Sequence, residues 1–127
     1  MPIAVAHTTE IAQEYLSAWK RKDADGIARL LHSEVRLKSP VADLTGREAF
    51  LLMCRKIFPV LENISLRAQF ASENQVMLVY DFVLQDPMGL TRTANLMTFE
   101  GDLIRSVELF FDARPFEKSR DVARNTP

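Results

Sequence analysis

Four runs of strand character follow one another in the second half of the chain, at Ile64 to Ala71, Gln75 to Gln85, Leu90 to Phe99 and Leu103 to Asp112. The gaps between them, Ser72-Glu73-Asn74, Asp86-Pro87-Met88-Gly89 and Glu100-Gly101, are rich in residues that close turns and too short to hold a helix. Strands joined this tightly pair antiparallel. The second half therefore reads as a set of hairpins, and the first half must supply what covers one of its faces.

That first half is mostly helical. From Thr9 onward Ile11, Tyr15, Leu16, Ala18 and Trp19 recur at helical spacing, with Glu10, Gln13, Glu14 and Ser17 on the other side. Asp23 is placed to cap a second, short helix whose apolar side is Ile27, Ala28, Leu30 and Leu31 and which ends near His32. Glu34 to Ser39 alternates and stops at Pro40, the pattern of a strand with one polar face. A bend through Asp43 and Gly46 leads to a third helix over Arg47 to Leu61, with Ala49, Phe50, Met53, Cys54, Ile57 and Phe58 on its apolar side. Helices first and hairpin-linked strands later give an α+β class with an antiparallel sheet.

Size and charge remove several kinds of function. The 127 residues, 47% of them hydrophobic, suffice for one core without disulfides or metal. Sixteen Lys and Arg against seventeen Asp and Glu leave no electrostatic footprint for nucleic acid, and Lys20-Arg21-Lys22 reads as a solvated helix end. Cys54 is the single cysteine, and His7 and His32 have no metal-ligand spacing, so neither a disulfide nor a metal site is expected, and no cofactor. Met1 to Ala6 is too short and lacks the basic leader of a signal or membrane segment, which makes the cytoplasm the expected location and sets membranes aside. Cys54 reads as an inert packed thiol.

Strand alternation sorts the sheet residues by face. Val76, Leu78, Tyr80, Phe82 and Leu84 form a nonionic set, whereas Met77, Val79, Asp81, Val83 and Gln85 include a carboxylate, so the first set is expected inside. A tight turn at Glu100-Gly101 puts Thr93, Asn95, Met97 and Phe99 on one face with Ile104, Ser106, Glu108 and Phe110. The outward set Met77, Val79, Val83, Val107, Leu109 and Phe111 is too apolar for a free surface, and a symmetric homodimer through the convex side of the sheet is expected.

The order of elements and five strings resemble the nuclear transport factor 2-like superfamily, in its SnoaL-like polyketide cyclase and ketosteroid isomerase branches. The strings are Tyr15-Leu16-Ser17-Ala18-Trp19, Asp23-Ala24-Asp25-Gly26-Ile27, Val35 to Pro40, Gly46-Arg47-Glu48-Ala49 and Glu108-Leu109-Phe110-Phe111-Asp112. The resemblance implies a single SnoaL-like domain over residues 1–127, with a core at about 9–116 and a polar tail at 117–127. It implies three N-terminal helices packed on a strongly curved antiparallel or mixed sheet that forms a cone with an apolar pocket, a cystatin-like roll. Matching the family's strand order puts the shared β face on the concave side. The expected lining is then Tyr15, Trp19, Leu37, Ser39, Met53, Ile57, Tyr80, Asn95, Ser106, Glu108 and Phe110.

Chemistry in such a pocket rests on few groups. Tyr15 aligns with the tyrosine that in ketosteroid isomerases donates to the developing oxyanion, although a helix tyrosine that merely fills core fits equally. Ser39 stands where those enzymes carry the proton-moving aspartate, and Asn95 where they carry the protonated aspartate of the oxyanion hole. A serine without an adjacent base cannot accept a proton near neutral pH, while an amide still donates, so steroid isomerisation by the aspartate route is disfavoured. Glu108 is the one carboxylate this facing puts inside; the alternatives are a structural arginine partner, or the opposite facing, which buries Leu103, Val107, Leu109 and Phe111 and turns Glu108 to solvent. Two functions follow: proton transfer on a small apolar carbonyl, epoxide or polyketide-like compound by Tyr15, Asn95 and Glu108, or binding of such a molecule without chemistry. An assembly domain with a vestigial pocket is the third.

Overall fold

Asp23 caps its helix as its side chain suggests: the Gly26 backbone N–H donates to Oδ1 at 2.9 Å. The helix it starts, α2 (Ala24–Ala28), follows α1 (Val5–Lys20), and both belong to a computed structural model that describes residues 5–116. The polar tail at 117–127 lies outside the described residues. α1 begins four residues before Thr9, where the Thr8 and Thr9 hydroxyls donate to the Val5 carbonyl, and it buries Ile11, Tyr15, Leu16, Ala18 and Trp19 as the spacing requires.

The next boundary differs from expectation. α2 ends at Ala28, and Leu31 and His32 open β1 (Leu31–Lys38). The cause is a distant partner: the Ile104 N–H donates to the Leu30 carbonyl at 2.8 Å, and Leu31 pairs with Ile104 in a parallel ladder. His32 is thus no helix-end histidine; its Nδ1 accepts from the Glu34 N–H and its Nε2 lies 2.7 Å from the Glu100 carboxylate. The bend after Pro40 contains a short strand, β2 (Asp43–Thr45), antiparallel to β1.

α3 (Arg47–Ile57) stops earlier than Leu61 because Pro59 cannot continue an α-helix; Phe58–Val60 makes one 3-10 turn, and Leu61 already begins β3 (Leu61–Ser72). Then come β4 (Gln75–Leu84), β5 (Leu90–Glu100) and β6 (Leu103–Phe110). The sheet is six-stranded and mixed, in the order β2-β1-β6-β5-β4-β3, with β1 and β6 the parallel pair. Register shifts within β3–β4, β5–β6 and β1–β6 bend it so that one face wraps α1 and α3.

One shift decides which residues face the helices. Glu100 pairs with Leu103 across Gly101, whose φ of +60° suits a tight hairpin, and Phe99 pairs with Ile104. Thr98, however, pairs with Ser106, so Arg105 is an extra residue on β6. Its guanidinium donates to the Glu34 carbonyl. Beyond this bulge Met97 pairs with Val107 and Asn95 with Leu109, and every side chain from Ser106 onward has changed face.

Candidate functional site

The helices do not fill the open end of the curved sheet, and a cavity of about 400 Å³ remains between them. Its floor and walls come from Tyr15, Leu16 and Trp19 of α1, Leu37 of β1, Met53 and Ile57 of α3, Tyr80, Phe82 and Leu84 of β4, Thr91 and Thr93 of β5, and Leu109 just inside the end of β6. Ser39, Val41, Ala42, Lys56, Met88, Phe111 and Phe116 complete the lining. The other end of the same face is solid core, where Val76, Leu78, Met97 and Ile104 are fully buried.

Seven of the expected side chains therefore line one space: Tyr15, Trp19, Leu37, Ser39, Met53, Ile57 and Tyr80. Asn95 sits behind Tyr80 with no exposed surface, and its Nδ2 donates to the Tyr80 hydroxyl at 3.2 Å. Glu108, Ser106 and Phe110 are corrections. The Arg105 bulge carries all three to the outer face, where Glu108 is exposed and Phe110 is 48% exposed, while Val107 and Leu109 turn inward. Thr91, Lys56 and Phe116 also line the cavity, outside the expected set, and Leu109 and Phe111 do so as in the alternative facing of β6.

Aromatic rings stack edge to face along the wall: Trp19 meets Phe58 at 5.3 Å and Phe82 at 5.6 Å, and Tyr15 meets Phe50 at 6.3 Å. Burial pushes the Tyr15 phenol well above its ordinary value, with Tyr80 adding to the effect and the Trp19 indole opposing it. Burial likewise pushes Tyr80 up to about 12, and the Asn95 amide offsets part of this. Both phenols therefore stay protonated at any physiological pH and keep an O–H to donate. Thr93 donates to the Thr91 carbonyl at 3.3 Å, but the Thr91 hydroxyl and the Asn95 Oδ1 are buried without a partner among the described residues. Ser39 does turn chemistry, its hydroxyl accepting from the Val41 N–H at 3.2 Å. No Asp, Glu or His among the described residues belongs to the lining. Among the described residues no group of three or more His, Cys, Asp or Glu could hold a metal ion.

A curved sheet wrapped on helices, with a largely apolar cavity between them, is the arrangement that the sequence resemblance implies. A family model described as a SnoaL-like domain matches residues 12–107. The chain belongs to this SnoaL-like domain family. Solved structures agree on the fold of the SnoaL-like chain. A nuclear transport factor 2-like protein of unknown function from Cytophaga hutchinsonii superposes with a TM-score of 0.79 at 20% identity, covering 92% of this chain and 99% of its own. A SnoaL-like protein of unknown function from Burkholderia thailandensis gives 0.71 at 19% identity, over 88% and 99%. A protein of ketosteroid isomerase-like fold from Catenulispora acidiphila, in complex with trimethylamine, gives 0.69 at 19% identity, over 81% and 85%. No curated protein matches the chain in sequence.

Within this SnoaL-like domain two further groups have plain structural roles. Cys54 is buried under α3, where desolvation pushes its thiol up to about 12, so it is an inert packing group. Asp112 accepts from the Arg114 N–H at 3.0 Å and from its guanidinium, which holds the carboxyl down at about 2. That turn folds the chain back so that Phe116 meets Phe111 at 5.2 Å beside the cavity. No helix among the described residues is long and apolar enough to cross a membrane.

Proposed function

We propose that this SnoaL-like domain binds a small, largely apolar molecule bearing a carbonyl or similar acceptor, and does so without acid–base chemistry. The observation that carries the reading is the composition of the lining: aliphatic and aromatic walls, the two protonated phenols of Tyr15 and Tyr80, and, among the described residues, no carboxylate or imidazole. Tyr15 and Tyr80 supply hydrogen-bond donors to one ligand oxygen, with Asn95 holding the Tyr80 hydroxyl from behind. They would polarise a carbonyl as an oxyanion site does, but proton abstraction also needs an acceptor near neutral pH, and Ser39 is none. The cytoplasm remains the proposed compartment, on the single cysteine.

Acetonaphthone and ethylnaphthalene share a ring system and differ at the carbonyl. Tyr15→Phe and Tyr80→Phe are each expected to weaken acetonaphthone by about 1 kcal/mol, roughly fivefold, and to leave ethylnaphthalene unchanged in calorimetric titrations. Equal affinities for the ketone in all three proteins would remove the phenols from the reading. A β,γ-unsaturated ketone incubated with the protein is expected to be recovered with its double bond unmoved. Conversion to the conjugated isomer would show a base at work and favour the enzymatic alternative.

A homodimer through the convex face remains part of the proposal, on a corrected set of residues. Val107, Leu109 and Phe111 do not face outward; Met77, Val79 and Val83 are half-buried there, with Phe70 67% exposed and Phe110 48% exposed. Among them Asp81 is held low in pKa by Arg92, whose Nε donates to Oδ1 at 2.8 Å, and by Arg67 at 3.5 Å, so the patch carries both charges and suits a two-fold partner. Phe110→Glu is expected to shift sedimentation from dimer toward monomer. A parent protein that sediments as a monomer at high concentration would end this part of the reading.

A further inference from the structure

We infer that the cavity takes an amphipathic anion: a small apolar molecule carrying one carboxylate or sulfonate-type group, whose charged end is held at the rim by Lys56. This rests on the binding reading above and adds the ligand's charge to it. Lys56 lies in the last turn of α3, beside Met53 and Ile57, which also line the cavity. Among the described residues it is the only charged side chain in the lining, it is exposed, and it has neither hydrogen bond nor ion pair. A cationic ligand would meet this ammonium with no carboxylate among the described lining residues to offset it, despite the aromatic walls that otherwise attract cations. A neutral ligand would leave Lys56 unused.

The inner end agrees with this assignment. Tyr15 and Tyr80, both buried, offer donors there, so donors stand at both ends of an apolar space. Such a space suits a molecule with an acceptor at each end and hydrocarbon between, the outer acceptor being the charged one. At the rim, the ammonium gains most from a full negative charge close to low-dielectric walls.

Anilinonaphthalene sulfonate and N-phenylnaphthylamine present nearly the same aromatic body with and without an anionic group, and both report binding by fluorescence. The parent, Lys56→Gln and Lys56→Glu are titrated with each at low and moderate salt, after circular dichroism has confirmed that the exposed substitutions leave the fold intact. For the sulfonate, Kd is expected to rise roughly three- to fivefold in Lys56→Gln and further in Lys56→Glu, while the neutral amine binds all three proteins alike. Added salt should weaken the sulfonate in the parent and barely change it in Lys56→Gln. An unchanged sulfonate affinity in Lys56→Gln, or an equal loss for the neutral amine, would overturn the assignment of charge while leaving cavity binding in place. Absence of saturable binding by either dye, or binding by both that survives the rim-blocking Ala42→Phe, would sink the binding reading and this one together.

Discussion

Val107→Asp is expected to destabilise the domain by about 4 kcal/mol, whereas Glu108→Leu, one residue on, changes stability by no more than about 0.5 kcal/mol. Val107 is 1% exposed and packs in the core, paired across the sheet with Met97, which is fully buried. A carboxylate there would lose its water without gaining a partner, and would either take up a proton or force the strand apart. Glu108 stands in solvent on the other face and gives up nothing of this kind. With total stabilities of about 5–15 kcal/mol for a native domain, the first change brings the protein near its unfolding threshold. Urea midpoints at constant slope measure both. The reverse order of effects would mean that β6 lacks its bulge and that Glu108 belongs to the cavity after all.

Phe50→Ala is expected to cost about 3–5 kcal/mol. Phe50 is 1% exposed, one of the largest fully buried side chains, and its ring meets that of Tyr15 edge to face. Its removal takes away the transfer free energy of a phenyl group and leaves a void continuous with the support of Tyr15. Two readouts separate these effects: the urea midpoint falls, and the Tyr15 donor loses its fixed direction, so the gain in affinity for acetonaphthone over ethylnaphthalene shrinks in whatever fraction remains folded. Phe50→Leu, which keeps most of the volume, should recover the larger part of the stability. A loss below about 1 kcal/mol in Phe50→Ala would show that the site collapses around the gap and that Phe50 does not hold Tyr15 in place.

These two positions also mark what the sequence could disclose. Phe50, Cys54, Tyr15 and Trp19 were legible because helical spacing is local: each residue's face follows from its neighbours three and four away. The strands of the meander were legible for the same reason, each bounded by its own turn chemistry. Two features depended on partners far along the chain. Leu31 satisfies a helical pattern with Ile27, and only pairing with Ile104, more than half the chain away, turns it into a strand. The Arg105 bulge shifts register by one residue while leaving composition untouched, so strict alternation carried Glu108 inward and Leu109 outward. Its trace in the sequence is the spacing of Ile104 and Val107, both buried and three apart where alternation demands an even number. Phe110, apolar yet exposed, obscured that trace.

The consequence for the site is chemical. With Glu108 outside, the described lining keeps Tyr15 and Tyr80, with Asn95 behind Tyr80, and holds no carboxylate or imidazole, while Ser39 spends its hydroxyl on the bend after β1. Two phenols without a base would still recognise a ligand oxygen, which is why binding is the function we propose for these residues.

The methionine methyls give the most direct test of that claim, because they sample the cavity and its surroundings at known places. Met53 and Met88 line the cavity, Met77 lies on the outer face of β4, and Met97 is fully buried away from it. In methyl-labelled spectra titrated with N-phenylnaphthylamine, the Met53 and Met88 signals are expected to move saturably while those of Met77 and Met97 stay in place. Movement of Met77 with Met53 and Met88 unmoved would contradict cavity binding, placing the binding surface on the convex side of the sheet.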